Sequence, residues 1–274
     1  MNSALALSSA SIHETLTRST SNTCDDIASA VALLSSISLD DVGGAALLDR
    51  HENKFLVPAP SIAELLGCCA AGYRVLDIRG RRLCRYSTTY FDTVDLAFYR
   101  AHQTGRLPRR KVRLRTYVDT GAHFLEVKEK GKTGRTSKTR VALVGDAAND
   151  NELAVLLAER SPEHPLRASM HVDYQRVTLV SMSQDERVTF DCALEVMFQN
   201  EVLAFPGVAI IEVKRATRGR STFLDAMSER KIRTTRFSKY CLGVSALRAD
   251  APCYRDPRIL RQLCRVNEGA TSVR

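Results

Sequence analysis

The chain has 274 residues, 44% of them hydrophobic, which is enough to build the core of one large domain or two small ones. Its 40 Lys and Arg residues outnumber 31 Asp and Glu residues, and the net charge of +9 favours a polyanionic partner such as nucleic acid, an anionic membrane or a phosphate compound. The sequence has no apolar run long enough to span a membrane, no export signal and no CxxC pair among its eight cysteines, so we expect a cytoplasmic protein with reduced thiols and no transmembrane segment.

Composition divides the chain into three segments. Residues 1–48 are rich in Ser, Ala and Thr, which predicts a weakly ordered leader with a short helix near residues 27–36. Residues 49–247 alternate apolar and charged residues and are predicted to form one domain without internal repeats. Residues 248–274 are basic and are predicted to form a surface tail with one helix at Pro257–Val266.

Strands dominate the predicted domain, which is therefore of the α+β class. The predicted strands are Arg85–Phe91, Arg110–Val118, Phe124–Glu129, Thr136–Val144, His171–Ser181, Arg187–Asp191 and Ala209–Arg215. Three helices are predicted outside the sheet, and each begins at a capping residue. The first begins at Ser61, with Glu64 completing a capping box; the second is Asn151–Arg160 after Asp150, and the third is Thr222–Lys231 after Ser221.

Charged residues in these strands alternate with apolar ones. Residues two apart in a strand point to the same face, so Lys111, Arg113 and Arg115 share one face and Val112 and Leu114 the other. The same rule groups Glu126 with Lys128, Lys138 with Arg140, Tyr174 with Arg176, Arg187 with Thr189 and Asp191, and Glu212 with Lys214. Several strands therefore present a face made mainly of Lys and Arg, with single Glu residues beside Lys.

Two structures produce this alternation. An ordinary antiparallel sheet with one solvated face does so, but such a face usually mixes Lys, Glu, Thr, Ser and Gln. Arginines at alternate positions repel one another unless they share an anion, and the planar fork of Arg suits phosphate oxygens. The second structure is a sheet closed on itself around a wet, basic tunnel, where a bound polyanion offsets the charge. The strength of the Lys and Arg bias favours the tunnel.

Eight short segments occur in order along residues 49–247. They are Arg50–Val57, Ser87–Thr93, Arg110–Tyr117, Phe124–Lys130, Tyr174–Arg176, Arg187–Asp191, Ile211–Lys214 and Phe237–Tyr240. Together they resemble the VTC domain of polyphosphate polymerases, a member of the triphosphate tunnel group that includes CYTH-type triphosphatases and some adenylate cyclases. The resemblance implies a closed eight-stranded antiparallel β-barrel with helices packed outside, ATP as phosphate donor, a polyphosphate or triphosphate ligand, and Mn²⁺ or Mg²⁺.

The resemblance also implies the residues that line the tunnel. The catalytic contacts to the triphosphate would be Arg113, Arg115, Lys128, Arg187 and Lys239. Further substrate-binding residues would be Lys54, Lys138, Tyr174, Arg176, Lys214, Arg236 and Ser238. The metal would be held by Glu212, with Glu52 or Glu126. Tyr86, Tyr90 and Phe91 are instead predicted to pack in the barrel wall.

Two departures from the family patterns bear on function. Arg50 stands where the CYTH signature Glu-x-Glu-x-Lys has its first Glu, which weakens a two-metal hydrolytic site and favours the polymerase. Arg236 stands where the family more often has Lys, which keeps the charge and changes the geometry. The chain shows neither the inositol-phosphate sensor nor the membrane anchor of the eukaryotic polymerases, so we expect either a stand-alone enzyme or one whose activity differs from that of the family.

Three functions stay open from the sequence. The first is a polymerase that transfers the γ-phosphate of ATP to a growing polyphosphate chain. The second is a tripolyphosphatase or nucleoside triphosphatase in the same tunnel, and the third is a non-catalytic polyanion binder. Nucleic acid is not the expected partner, because aromatic residues make up only 6% of the chain and Trp is absent. The oligomeric state is not indicated.

Overall fold

A computed structural model describes residues 23–42, 51–143, 150–161, 164–183, 185–217, 219–252, 263 and 265–266. The strands are β1 (Ser36–Ser38), β2 (His51–Pro58), β3 (Tyr73–Asp77), β4 (Cys84–Asp92), β5 (Arg109–Tyr117), β6 (Ala122–Lys130), β7 (Thr136–Leu143), β8 (Arg167–Ser181), β9 (Glu186–Phe198), β10 (Glu201–Phe205) and β11 (Val208–Arg215). The helices are α1 (23–32), α2 (Ser61–Gly67), α3 (Ala97–Thr104), α4 (Asp150–Arg160), α5 (Thr222–Glu229) and α6 (Lys239–Leu247). The α+β class is confirmed.

The helix starts show which caps form. Ser221 caps α5 as predicted, since its side chain accepts a hydrogen bond from the Leu224 N–H at 3.1 Å. The capping box predicted at Ser61 is wrong, because Ser61 is itself the first residue of α2 and no side chain caps that helix. None of the described helices is long and apolar enough to cross a membrane.

The described strands form one sheet, and its main path runs β2-β11-β9-β8-β4-β5-β6-β7 with antiparallel neighbours throughout. The path has the eight strands predicted, but the prediction of a closed barrel is wrong, because no ladder joins β2 to β7 in the described sheet. The outer edge of β2 is instead used by Thr235, whose N–H donates to the Lys54 carbonyl at 2.7 Å. At the other edge, β7 is exposed over most of its length.

The open sheet is nevertheless strongly curled. Lys128 on β6 and Glu52 on β2 are six strands apart along the path, a separation of about 29 Å in a flat sheet with strands about 4.8 Å apart. The Lys128 Nζ and Glu52 Oε2 atoms are 3.6 Å apart. The sheet therefore wraps far enough for side chains of β2 and β6 to meet across its concave side.

Apolar clusters cover the convex side. Helices α1, α2 and α5 pack over β2, β11, β9 and β8, with Phe55, Leu179, Phe190 and Ile211 in the cluster beneath them. Helix α4 contributes Leu157 to a second cluster over β5 and β6. These helices lie outside the sheet, as predicted.

Helix α6 departs from the predicted arrangement, in which every helix packs outside. It packs with Leu56, Met170 and Ile210, which lie on the concave side of the sheet. The approach is close at Gly243, where an added Cβ would stand 2.7 Å from the Met170 Sδ atom. Helix α6 therefore fills part of the concavity, and the curl is built around it.

The described part of the predicted leader has a defined structure. Ile27 and Val31 of α1 are buried in the convex core, and β1 pairs in parallel with β3. Residues 23–38 are thus an integral part of this fold, whereas residues 1–22 and 43–48 lie outside the described residues. The predicted tail helix Pro257–Val266 is described only at residues 263, 265 and 266, which are helical.

Candidate functional site

The concave side of the curled sheet carries a face that we call the charged face. Strand registers place Lys54 opposite Glu212, Lys111 opposite Lys128, and Arg113 opposite Glu126 on this face. The other members of the charged face are Glu52, Tyr90, Arg115, Lys138, Arg140, Tyr174, Arg176, Arg187, Asp191 and Lys214. The structure therefore brings most of the sequence-predicted residues onto one enclosed surface.

Two carboxylates and three lysines meet where β2, β11 and β6 converge. Glu52 Oε1 lies 2.9 Å from Lys54 Nζ, and Glu212 Oε1 lies 3.4 Å from Lys214 Nζ and 4.0 Å from Lys54 Nζ. Burial raises the pKa of Glu212, but Lys214 and Lys54 outweigh it and hold the pKa well below its usual range. Glu212 is therefore in position to act as an anionic ligand at neutral pH, with the Glu52 side chain beside it.

Glu126 lies in a separate cluster on β6. Its carboxylate is 2.6 Å from both Arg113 Nη2 and Lys138 Nζ, and its side chain is only 2% exposed. Arg115 and Arg140 follow at 3.9 and 3.7 Å. Burial raises the pKa of Glu126, yet the arginines and Lys138 lower it to about 2. Because four cations surround it, Glu126 serves to hold them together against their mutual repulsion.

We expect the substitution Glu126→Gln to lower the free energy of unfolding at about pH 7 by roughly 1–3 kcal/mol, because it leaves the cations of this cluster uncompensated. The folded-state pKa lies below the unfolded value of about 4.3, so the stability from Glu126 is complete above that pH and is lost as pH falls toward about 2. Urea unfolding at several pH values tests this. A wild-type advantage that stays constant down to pH 2 would contradict the assignment.

A third cluster joins the sheet to α6. Arg176 donates to both oxygens of Asp191, from Nε to Oδ1 at 2.5 Å and from Nη2 to Oδ2 at 2.8 Å, and Lys239 at the start of α6 also donates to Oδ2. Asp191 is 1% exposed. The Tyr174 ring lies beneath Lys239, whose Nζ is 4.3 Å from the ring centroid, and the buried Tyr174 hydroxyl has no hydrogen-bond partner in the described structure. Arg176 and Lys239 are thus fixed in place by Asp191.

The family model of the VTC domain matches residues 49–248. The chain belongs to the VTC domain family. Solved structures similar to this VTC domain include a Bacillus halodurans protein described as a candidate adenylate cyclase (16% identity, TM-score 0.45, 68% of this chain and 92% of that chain) and the Hippeastrum protein HpAC1, described as having a dominant triphosphatase activity (16%, 0.44, 71% and 95%). A third is PH1819 from Pyrococcus horikoshii (14%, 0.44, 72% and 96%). No curated protein matches the chain.

A divalent cation, as the VTC resemblance implies, fits the carboxylate pair Glu52 and Glu212. Mg²⁺ and related hard cations take oxygen ligands, and in phosphate enzymes they keep water and phosphate oxygens beside one or two carboxylates. No described group of three or more His, Cys, Asp and Glu side chains is arranged to hold a metal by itself. Glu126, predicted as a third candidate ligand, belongs to the Arg113 cluster and is not brought to this pair.

The remaining predicted site residues of the VTC domain differ in how they lie relative to the charged face. Arg187 lies on the charged face opposite Lys214, and Ser238 caps α6 by accepting from the Cys241 N–H at 3.3 Å. Arg236 is exposed on the segment before α6, and within the described part of the chain it forms no ion pair with the charged face. The role predicted for Arg236 therefore stays a prediction.

Two residues of the site were missing from the predicted set. Lys111 donates to the Ser238 Oγ at 2.9 Å, which ties β5 to the start of α6. Its place beside Arg113 and Arg115 in the alternation was a sufficient signal. His102 on α3 lies near Lys111 and Arg109, and burial together with these cations lowers its pKa to about 3. The sequence contains no comparable signal for His102, because helix α3 was not predicted.

Proposed function

We propose that this VTC domain is a metal-dependent phosphotransferase that passes the γ-phosphate of ATP to the end of a growing polyphosphate chain. The enclosure of the charged face carries the proposal: Lys128 reaches Glu52 across the curled sheet, so cations from β2, β5 and β6 surround one space. Family membership and this enclosed basic surface support a triphosphate-tunnel type of enzyme. The choice of polymerase over triphosphatase rests on Arg50, which stands where the CYTH signature has its first Glu.

Phosphoryl transfer passes through a loose transition state with charge spread over phosphate oxygens, so positioning and charge neutralisation are the protein's main tasks. The side chains of Arg113 and Lys128 are 25% and 45% exposed, which leaves their charged groups accessible to a phosphate chain. Arg115, at 9%, is held against Glu126 and the Tyr86 ring and supports the wall. Phosphate oxygens are already ionised at neutral pH, so the reaction needs no general base.

The carboxylate pair has a separate task. A divalent cation bound there would neutralise charge on the donor phosphates. Lys54 and Lys214 flank the two carboxylates at 2.9 and 3.4 Å and orient them. Glu126 keeps Arg113 and Lys138 at a fixed spacing until a phosphate oxygen competes for them.

Incubation of the full chain with ATP and Mn²⁺, followed by sizing of the products, tests the proposal. We expect ADP together with polyphosphate chains that lengthen with time. Orthophosphate without chains would instead identify a triphosphatase. Salt-dependent retention of polyphosphate without consumption of ATP would identify a non-catalytic binder, and either outcome overturns the polymerase.

A further inference from the structure

Tyr90 contributes more to the charged face than the wall packing that the sequence predicts for it. Its ring does pack, since it stacks on Tyr240 of α6 with 5.0 Å between the centroids, and the residue is only 6% exposed. Its position in β4, however, is directly opposite Arg113 in β5. The phenol therefore projects onto the charged face beside the arginine that the proposed function assigns to the triphosphate.

Cations from three elements act on the phenol where it meets the charged face. Positive charges act on it from β2 (Lys54), β5 (Lys111, Arg113, Arg115) and α6 (Lys239). Burial raises the pKa of Tyr90, yet these cations outweigh burial and lower it. Tyr240, which stacks on the Tyr90 ring, is uncharged, and its hydroxyl donates to Asp92. The same cations draw a ligand anion to this place, and the charge of a bound anion opposes their effect on the phenol.

The hydroxyl of Tyr90 has no hydrogen-bond partner among the residues that the structure describes, whereas the hydroxyls of Tyr73 and Tyr99 are engaged by Glu186 and by the Pro252 carbonyl. Lys and Arg offer donors only, so these neighbours can donate to the phenol oxygen but cannot accept its hydrogen. Glu126, the nearest anion in register, is two strands away and enclosed by four cations.

We infer that the Tyr90 hydroxyl donates a hydrogen bond to an oxygen of a phosphate chain bound at Arg113 and Lys111. Tyr90 would thus be a phosphate-binding residue of the charged face. The inference rests on the proposed function, because it takes a phosphate chain as the ligand of the charged face. It adds a neutral donor among the cations. A phosphate oxygen that is already neutralised by Arg113 still has lone pairs, and a hydroxyl fixes its orientation without adding charge.

Isothermal titration of the full chain with inorganic tripolyphosphate, without nucleotide, tests the inference. We expect Tyr90→Phe to weaken binding about 10- to 100-fold, the usual effect of losing a hydrogen bond to a charged group. The fold should remain, because Phe keeps the ring and removes no hydrogen bond among the described residues. The matched control is Tyr99→Phe, whose ring also contacts Tyr240 but whose hydroxyl is held by Pro252; its affinity should equal that of the wild type.

The dependence of affinity on salt separates a lost hydrogen bond from a disturbed cation cluster. Removing a cation that binds phosphate lowers the slope of log affinity against log salt, whereas removing a neutral hydroxyl leaves the slope unchanged. Tyr90→Phe should therefore keep the wild-type slope, and Arg113→Ala should lower it. Wild-type affinity in Tyr90→Phe, or a reduced slope, overturns the role of Tyr90 and leaves the proposed function standing. A wild-type protein that does not bind tripolyphosphate overturns both.

Discussion

Replacing Arg113 by Ala should reduce ATP turnover by at least about 100-fold, the effect of removing one donor that stabilises developing charge in an enclosed site. Arg113 extends from β5 onto the concave side, where Glu126 binds its Nε and Nη2 at 2.8 and 2.6 Å, and the guanidinium has further donors for a phosphate oxygen. Steady-state ATP consumption by the purified variant is the measurement. Arg113→Lys should recover part of the rate, because it keeps the charge and loses the fork.

The variant should remain folded. Glu126 keeps Lys138, Arg115 and Arg140 as partners when Arg113 is removed, so no buried carboxylate is left alone. The matched control is Arg110→Ala on the same strand. Arg110 points to the convex side, where it binds Glu129 and the Arg160 carbonyl, so turnover should be unchanged. ATP consumption at the wild-type rate in Arg113→Ala would remove the charged face from the mechanism.

The composition of the charged face could be predicted because it depends on local geometry alone. Any strand through Lys111, Arg113 and Arg115 places these residues on one face of the sheet. Only the structure shows that this face is the concave one. The predicted segments of β5, β6 and β7 accordingly lie close to the observed strands. Closure of the sheet is different in kind. It depends on which segment takes the free edge of β2, and a residue far along the chain, Thr235, takes it.

Helices α3 and α6 were not predicted from the sequence, and the physical reason differs between them. In α6, Tyr240, Leu242 and Val244 are all buried, because the helix sits inside the concavity, and a helix buried all round has no amphipathic period to detect. In α3 the cap is remote. The Phe98 and Tyr99 N–H groups are satisfied by the carboxylate of Asp92, at the end of β4, while the residue at the capping position is Leu96. Start signals within α3 itself are therefore absent.

Asp191→Asn should have the largest effect on stability, a loss of about 3–5 kcal/mol in the free energy of unfolding. Asn keeps the shape of the side chain but leaves the buried charges of Arg176 and Lys239 without their shared carboxylate. Urea unfolding at neutral pH is the measurement. The control Asp250→Asn removes an exposed carboxylate that pairs with Arg248, and should change stability by less than about 1 kcal/mol.

The pH dependence of the stability difference between the wild type and Asp191→Asn is a second, independent test of this prediction. Burial raises the pKa of Asp191, but Arg176 and Lys239 lower it to about 2, below the unfolded value of about 3.9. The wild-type advantage over Asp191→Asn should therefore be complete above pH 4 and shrink as pH falls toward 2. A variant as stable as the wild type would mean that Lys239 can leave Asp191 at no cost. In that case α6 would not be fixed to the charged face, and the enclosure that brings Lys111 and Ser238 together would lose its main support.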